Sequence, residues 1–252
     1  MNKGTRPGGF PMVQRLELAA LKARLARAAE ASQAGVLPLG ALPALPRAGL
    51  HEIAGDAAAS GFVATLAGAL AGGYGRVLWC MPLMALREAG TLYGPGLAAC
   101  GLDPARLVVV NPRQTRDALW TMEEALRGGV FAAVIGEAEM SPPIAARRLQ
   151  LAAEAHATAA LLLLPPRVPS ASVGMTRWRA TSAPGGAWHI ELARCRNGAS
   201  GTWLVEWNNA THRFDLVAVS GKRPGAPASS GLGRSARGAD CRAGKAPVRR
   251  RT

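Results

Sequence analysis

Residues 49–63 read GLHEIAGDAAASGFV, a short apolar strand that enters a small-residue loop and then an apolar helix expected over about 61–72. A junction of this kind is where nucleotide-hydrolysing α/β domains place a phosphate-binding loop. That loop needs glycines, so that backbone N–H groups can close on the phosphates. It also needs a Lys to meet their charge and a Ser or Thr to hold Mg²⁺. Here the glycines Gly55 and Gly61 stand one residue too far apart, with Asp56 and Ser60 between them. Phe62 falls at the Lys position and Val63 at the Ser/Thr position. Asp56 adds negative charge where phosphate would lie. A phenyl ring cannot replace an ammonium group, and such a contact contributes several kcal/mol at the transition state. The stretch therefore reads as a degenerate phosphate loop.

Outward from this junction the chain alternates short apolar runs with helical stretches. Strands are expected at 76–81 (RVLWCM), 106–110 (RLVVV), 131–136 (FAAVIG) and 159–164 (AALLLL). Between them lie a turn and short helix at 92–101 and a helix at 115–127. Leu119, Met122 and Leu126 line one face of that helix, and Gly128-Gly129 ends it with a left-handed cap. A further helix is capped by Ser141, has Pro142 or Pro143 in its first turn, and runs to about His156. Continuous apolar strands alternating with helices imply a mostly parallel sheet covered on both faces. After residue 170 the period becomes two: Trp188, Ile190 and Leu192 alternate with His189, Glu191 and Ala193, then Trp203, Val205 and Trp207 repeat the pattern. This is an antiparallel meander extending the same sheet, with left-handed turn positions expected at Asn197-Gly198 and Asn208-Asn209. The fold class is α/β: a mostly parallel sheet flanked by helices with a C-terminal antiparallel meander.

The other positions where catalysis needs acids do not supply them. The fourth strand ends Ala133-Val134-Ile135-Gly136-Glu137, with Gly136 where an Asp would orient Mg²⁺. Glu137 or Glu139 as a substitute lacks the loop Lys to work with. The strand Leu78-Trp79-Cys80-Met81 carries no acid to activate water. Cys80, Cys100, Cys195 and Cys241 form no CxxC pair, and His51, His156, His189 and His212 lie on different elements. No catalytic residue, metal or cofactor is expected. Four of the six tryptophans follow residue 177, and their period of two favours core packing over base stacking. Arg177, Arg179, Arg194 and Arg196 beside them read as a solvated edge or as phosphate contacts.

The flanks differ from the body, which spans 49–220. Residues 1–33 form an arm with an amphipathic helix whose stripe is Leu18, Leu21 and Leu25, placed to bind a partner or to fold back. Residues 34–48, AGVLPLGALPALPRA, read as a Pro-rich linker. Residues 221–252 hold nine Lys/Arg against Asp240 alone, so this disordered tail carries +8 of the net +14. Its basic run Arg249, Arg250 and Arg251 suits polyanion contact, nucleic acid above all, or simply keeps the chain soluble. No apolar run reaches the roughly 18 residues of a membrane span, and charged residues near the start argue against export. A cytoplasmic location is expected.

Several stretches resemble RecA and, within that superfamily, the ImuA family. The approach LPALPRAGLHEIAG is similar to that of the RecA phosphate loop. LYGPGLAACGLDPARLVVV, TRDALWTMEEALRGGVFAAVIGE, RRLQLAAEA, TRWR, WHIELARCRNG and TWLVEW are close to the ImuA pattern. The resemblance spans about 40–220 and implies a RecA-like sheet. Where RecA senses nucleotide with a Gln after its fifth strand, this chain has Leu164-Pro165-Pro166. The resemblance further implies a non-catalytic accessory role in SOS-inducible translesion synthesis. The implied partners are a polymerase-like ImuB-type protein, an error-prone DnaE-type polymerase and RecA. The competing expectations are a SulA-like cell-division inhibitor, a divergent RecA-like ATPase and a general DNA-binding module.

Overall fold

A computed structural model describes residues 35–139, 142–167, 173–196 and 200–217. Eleven strands appear among them: β1 (Val36–Leu39), β2 (Leu42–Pro46), β3 (Gly49–Gly55), β4 (Val77–Cys80), β5 (Leu107–Val110), β6 (Ala133–Glu137), β7 (Ala159–Leu164), β8 (Thr176–Ser182), β9 (Trp188–Cys195), β10 (Gly201–Asn208) and β11 (Arg213–Leu216). The α-helices are α1 (Ala57–Ala71), α2 (Leu83–Ala89), α3 (Gly94–Ala99), α4 (Thr115–Gly128) and α5 (Pro143–Ala155). Nine strands form one sheet in the order β11-β10-β9-β8-β3-β7-β6-β4-β5. From β8 to β5 every pairing is parallel, and β9, β10 and β11 follow antiparallel. This is the expected architecture, a mostly parallel sheet extended by an antiparallel meander.

The sequence dictates this layering through burial. All seven residues of β3 are buried, and β7 (AALLLL) is nearly so, because helices cover both faces of the central strands. On one face α1 packs with Ile53, Trp79, Ile135 and Trp178; on the other α4 and α5 pack with Leu50, Leu78, Val134 and Leu162. α4 ends at Gly129, whose φ of 62° is the expected left-handed cap.

Several expectations need correction. Residues 34–48 are not a linker: β1 and β2 pair as an antiparallel hairpin that buries Leu37, Leu39, Leu42 and Leu45 on the α1 side of the sheet. Three prolines hid the alternation, yet a two-stranded ribbon tolerates residues without N–H where no partner strand lies. The hairpin tip is tied down where Ala41 N donates to Phe214 O at 3.0 Å. α1 begins at Ala57, four residues before the expected start. The short helix α2 was not visible in the sequence, since none of its residues is buried and no apolar stripe marks it. α5 starts at Pro143 with Pro142 at its N-cap and no side-chain cap; Ser141 lies outside the described residues. In the last turn the left-handed residue is His212, at φ 49°, rather than Asn208-Asn209. Asn208 instead accepts from Ala210 N and Thr211 N through its side chain. The Asn197-Gly198 turn, the arm and the basic tail lie outside the described residues.

Candidate functional site

The β3–α1 junction contains no open loop. Gly55 closes β3, Asp56 is the N-cap, and α1 starts at the next residue. Gly55 is required by strand approach, since a Cβ there would lie 1.7 Å from the Ala180 carbonyl oxygen. A helix N-terminus presents unpaired N–H groups and a partial positive charge, which is why phosphates bind there. Here the chain supplies its own anion. The Asp56 carboxylate accepts from Ala58 N at 2.9 Å, from Ser182 N at 3.0 and 3.1 Å, and from Ser182 Oγ at 3.2 Å. The Ser182 amide, with help from Ala58, holds this carboxyl below its ordinary range.

The remaining residues of the motif lie within α1. Ser60 is exposed on its first turns, and Gly61 lies under Trp188, whose ring a Cβ would meet at 2.9 Å. Phe62 and Val63 are fully buried. The Phe62 ring meets Trp178 at 5.6 Å and Phe214 at 5.5 Å between centroids, in tilted geometry. The position expected to hold an ammonium group thus belongs to an aromatic core that joins α1 to the meander.

The end of β6 is equally closed. Gly136 is buried, and a Cβ there would fall 2.1 Å from Met122 Sδ, so α4 fills the space a carboxylate would need. Glu137 accepts a hydrogen bond from Trp79 Nε1 at 2.8 Å. Burial raises its carboxyl pKa, and the Trp79 bond opposes this in part. Glu139 is exposed. Burial pushes the Cys80 thiol, at the end of β4, up to about 12, which leaves it unreactive. β7 separates β3 from β6, so Gly55 and Gly136 lie at the ends of strands spaced about 10 Å apart, with Glu137 the last residue of β6. Among the described residues no cluster of His, Cys, Asp or Glu suits a metal ion.

The late tryptophans pack inward as expected. Trp178 is buried, Trp188 and Trp207 meet Phe214 at 5.8 and 5.0 Å, and Trp207 Nε1 donates to Ala99 O. The arginines do not form a free phosphate-binding row: Arg179 lies 3.7 Å from Glu191, and Arg196 pairs with Glu154 at 3.0 Å. Leu18, Leu21, Leu25, Arg249, Arg250 and Arg251 lie outside the described residues. Sequence reading missed a groove of about 520 Å³ between α4 and α5, lined by Thr115, Asp117, Trp120, Glu139 and Arg148 among others. Glu123 is buried at its base and pairs with Arg127 and Arg148. The available signal was Trp120, an aromatic residue off the Leu119–Met122–Leu126 stripe. No helix among the described residues is long and apolar enough to cross a membrane.

Comparison with known proteins gives two kinds of match. No family model matches the chain. It is 32% identical over 221 residues to Protein ImuA of Caulobacter vibrioides, strain NA1000 / CB15N, an alignment covering 78% of this chain and 88% of the relative. Protein ImuA of strain ATCC 19089 / CIP 103742 / CB 15 matches with the same figures. Among solved structures, the crystal structure of the RadB recombinase aligns with a TM-score of 0.48 and 15% identity, over 69% of this chain and 92% of that one.

Proposed function

The chain belongs to the ImuA family, a RecA-like group tied to DNA damage, and on that premise we propose that it is a non-catalytic accessory protein of SOS-induced translesion synthesis. It works through protein contacts with a polymerase-like ImuB-type partner and an error-prone DnaE-type polymerase, and it engages RecA. The degenerate phosphate loop and the degenerate acid site at Gly136 have become structural joints.

The observation that carries the non-catalytic part is the Asp56 N-cap. Its carboxylate takes the Ala58 amide of the first turn of α1, which a bound phosphate would use, and a second anion beside it meets like charge. Phe62 in the aromatic core and Met122 against Gly136 support the same reading, because each fills space that phosphate or Mg²⁺ chemistry requires. A domain of this kind keeps the sheet and offers its surfaces. The test is affinity purification of the full chain from DNA-damaged cells, with partners identified by mass. Recovery of the two polymerase-type partners is the expected result. Recovery of cell-division proteins alone, or ATP turnover by the purified chain, would overturn the reading.

A further inference from the structure

β5 is the outermost strand at one edge of the sheet, and among the described residues no strand pairs with its far side. The other edge strand, β11, is tied to the hairpin tip through Ala41 N and Phe214 O. Open edges are templates for another strand. β5 (LVVV) is an apolar edge: Val109 is 44% exposed. Exposed apolar side chains border it along its length. Tyr74 lies beneath the Arg106 guanidinium at 5.8 Å, Tyr93 caps α3 just before Gly94, which faces Pro104, and Met84 follows Leu83, whose N–H donates to Pro112 O at 2.8 Å.

The direction of the backbone fixes what can pair there. Met81 N donates to Val110 O, so Val110 and Val108 turn their N–H and C=O groups toward β4. Leu107 and Val109 therefore present theirs to the open side. Pro104 and Pro112 share the parity of Val108, so neither removes an outward donor. We infer that β5 pairs antiparallel with β5 of a second copy of this chain, about a two-fold axis at Val108. In this register Leu107 of each copy exchanges both hydrogen bonds with Val109 of the other.

Three features favour a second copy over an unrelated strand. Leu107 and Val109 lie on the same sheet face, so each exposed Val109 is covered by the other copy's Leu107, apolar on apolar. The Arg113 end of one strand meets the turn holding Asp103 on the other, and symmetry repeats this pairing of opposite charges. The contact also closes on itself, because a two-fold axis uses the same edge strand of both copies.

The register makes the test specific. Val108 would face its own counterpart as a non-hydrogen-bonded pair with Cα atoms about 4.5 Å apart, within disulfide reach. Full-length Val108→Cys should form a covalent dimer on mild oxidation, whereas Val109→Cys should crosslink no more than the unmodified chain with its native thiols. By sedimentation the full chain should self-associate, and Val109→Pro should weaken this by about tenfold or more while leaving the β4 ladder intact. Val109→Lys should act in the same direction without any backbone constraint. A chain that stays monomeric would overturn the inference, and protection of the Val109 amide from exchange in that monomer would give the edge to a segment of the same chain. Equal crosslinking of both cysteine variants, or a dimer unaffected by Val109→Pro and Val109→Lys, would also overturn it.

Discussion

Phe62 stands where a nucleotide-binding chain would carry a lysine, and its surroundings determine what restoring the lysine would do. The ring is wholly buried between Trp178 and Phe214, inside the joint between α1 and the meander. Phe62→Lys would remove that packing and place an ammonium group among aromatic rings. The expected cost is at least about 3 kcal/mol, read as a lowered urea midpoint, with no gain in ATP affinity. The substitution at position 62 was legible in the sequence, because Phe carries no charge. Its burial was not, since that depends on Trp178 and Phe214, which lie more than 100 residues away. The same holds for Gly136. The missing acid was visible, but the Met122 side chain that occupies its space was not. In the sequence Asp56 is a charge hostile to phosphate. Its partner Ser182 lies 126 residues on, and only the β3–β8 pairing brings the two together.

At the level of elements, strands covered on both faces were the easiest to read: β3 and β7 are continuous apolar runs because helices bury both sides. The β1–β2 hairpin failed as a sequence signal, since its prolines mimic a linker. Leu45 is fully buried in it, so Leu45→Ala should cost about 2–5 kcal/mol in the urea midpoint, whereas a true linker residue would cost almost nothing. β3 also contains a titrating group. Burial pushes the His51 imidazole down to about 4, with the Pro46 carbonyl opposing weakly. Thr176 Oγ accepts from Trp178 Nε1 at 2.8 Å and shares a hydrogen bond with His51 Nδ1, also at 2.8 Å, whose direction follows the tautomer of the ring. The unfolded chain binds the imidazolium proton near pH 6.5 and the folded chain only near 4. Stability is therefore full above pH 6.5 and falls as pH drops toward 4, by about 3 kcal/mol. In denaturation series between pH 7 and 4, His51→Leu should flatten this part of the pH dependence. An unchanged slope would show that other groups carry it.

At the scale of the whole molecule, the antiparallel meander at the sheet edge followed from the change of period after residue 170, while the strand order and the use of each surface did not. A period shows which side of an element is buried, but not which of the remaining faces another molecule will occupy. The groove beside Trp120 and the open edge at β5 are both of this second kind. The basic tail is the most legible feature outside the sheet, because its charge needs no partner to be recognised. Truncation after Ser220 should leave thermal unfolding unchanged and flatten the salt dependence of DNA binding; an unchanged salt slope would remove the tail from any DNA contact. We propose that Asp56, Phe62 and Met122 fill the β3–α1 junction and the end of β6 where a nucleotide would otherwise bind. Calorimetric titration of the full chain with Mg-ATP tests it most directly. No saturable heat is expected below millimolar nucleotide, where binding free energy is only about −4 kcal/mol. A micromolar dissociation constant for Mg-ATP would contradict it.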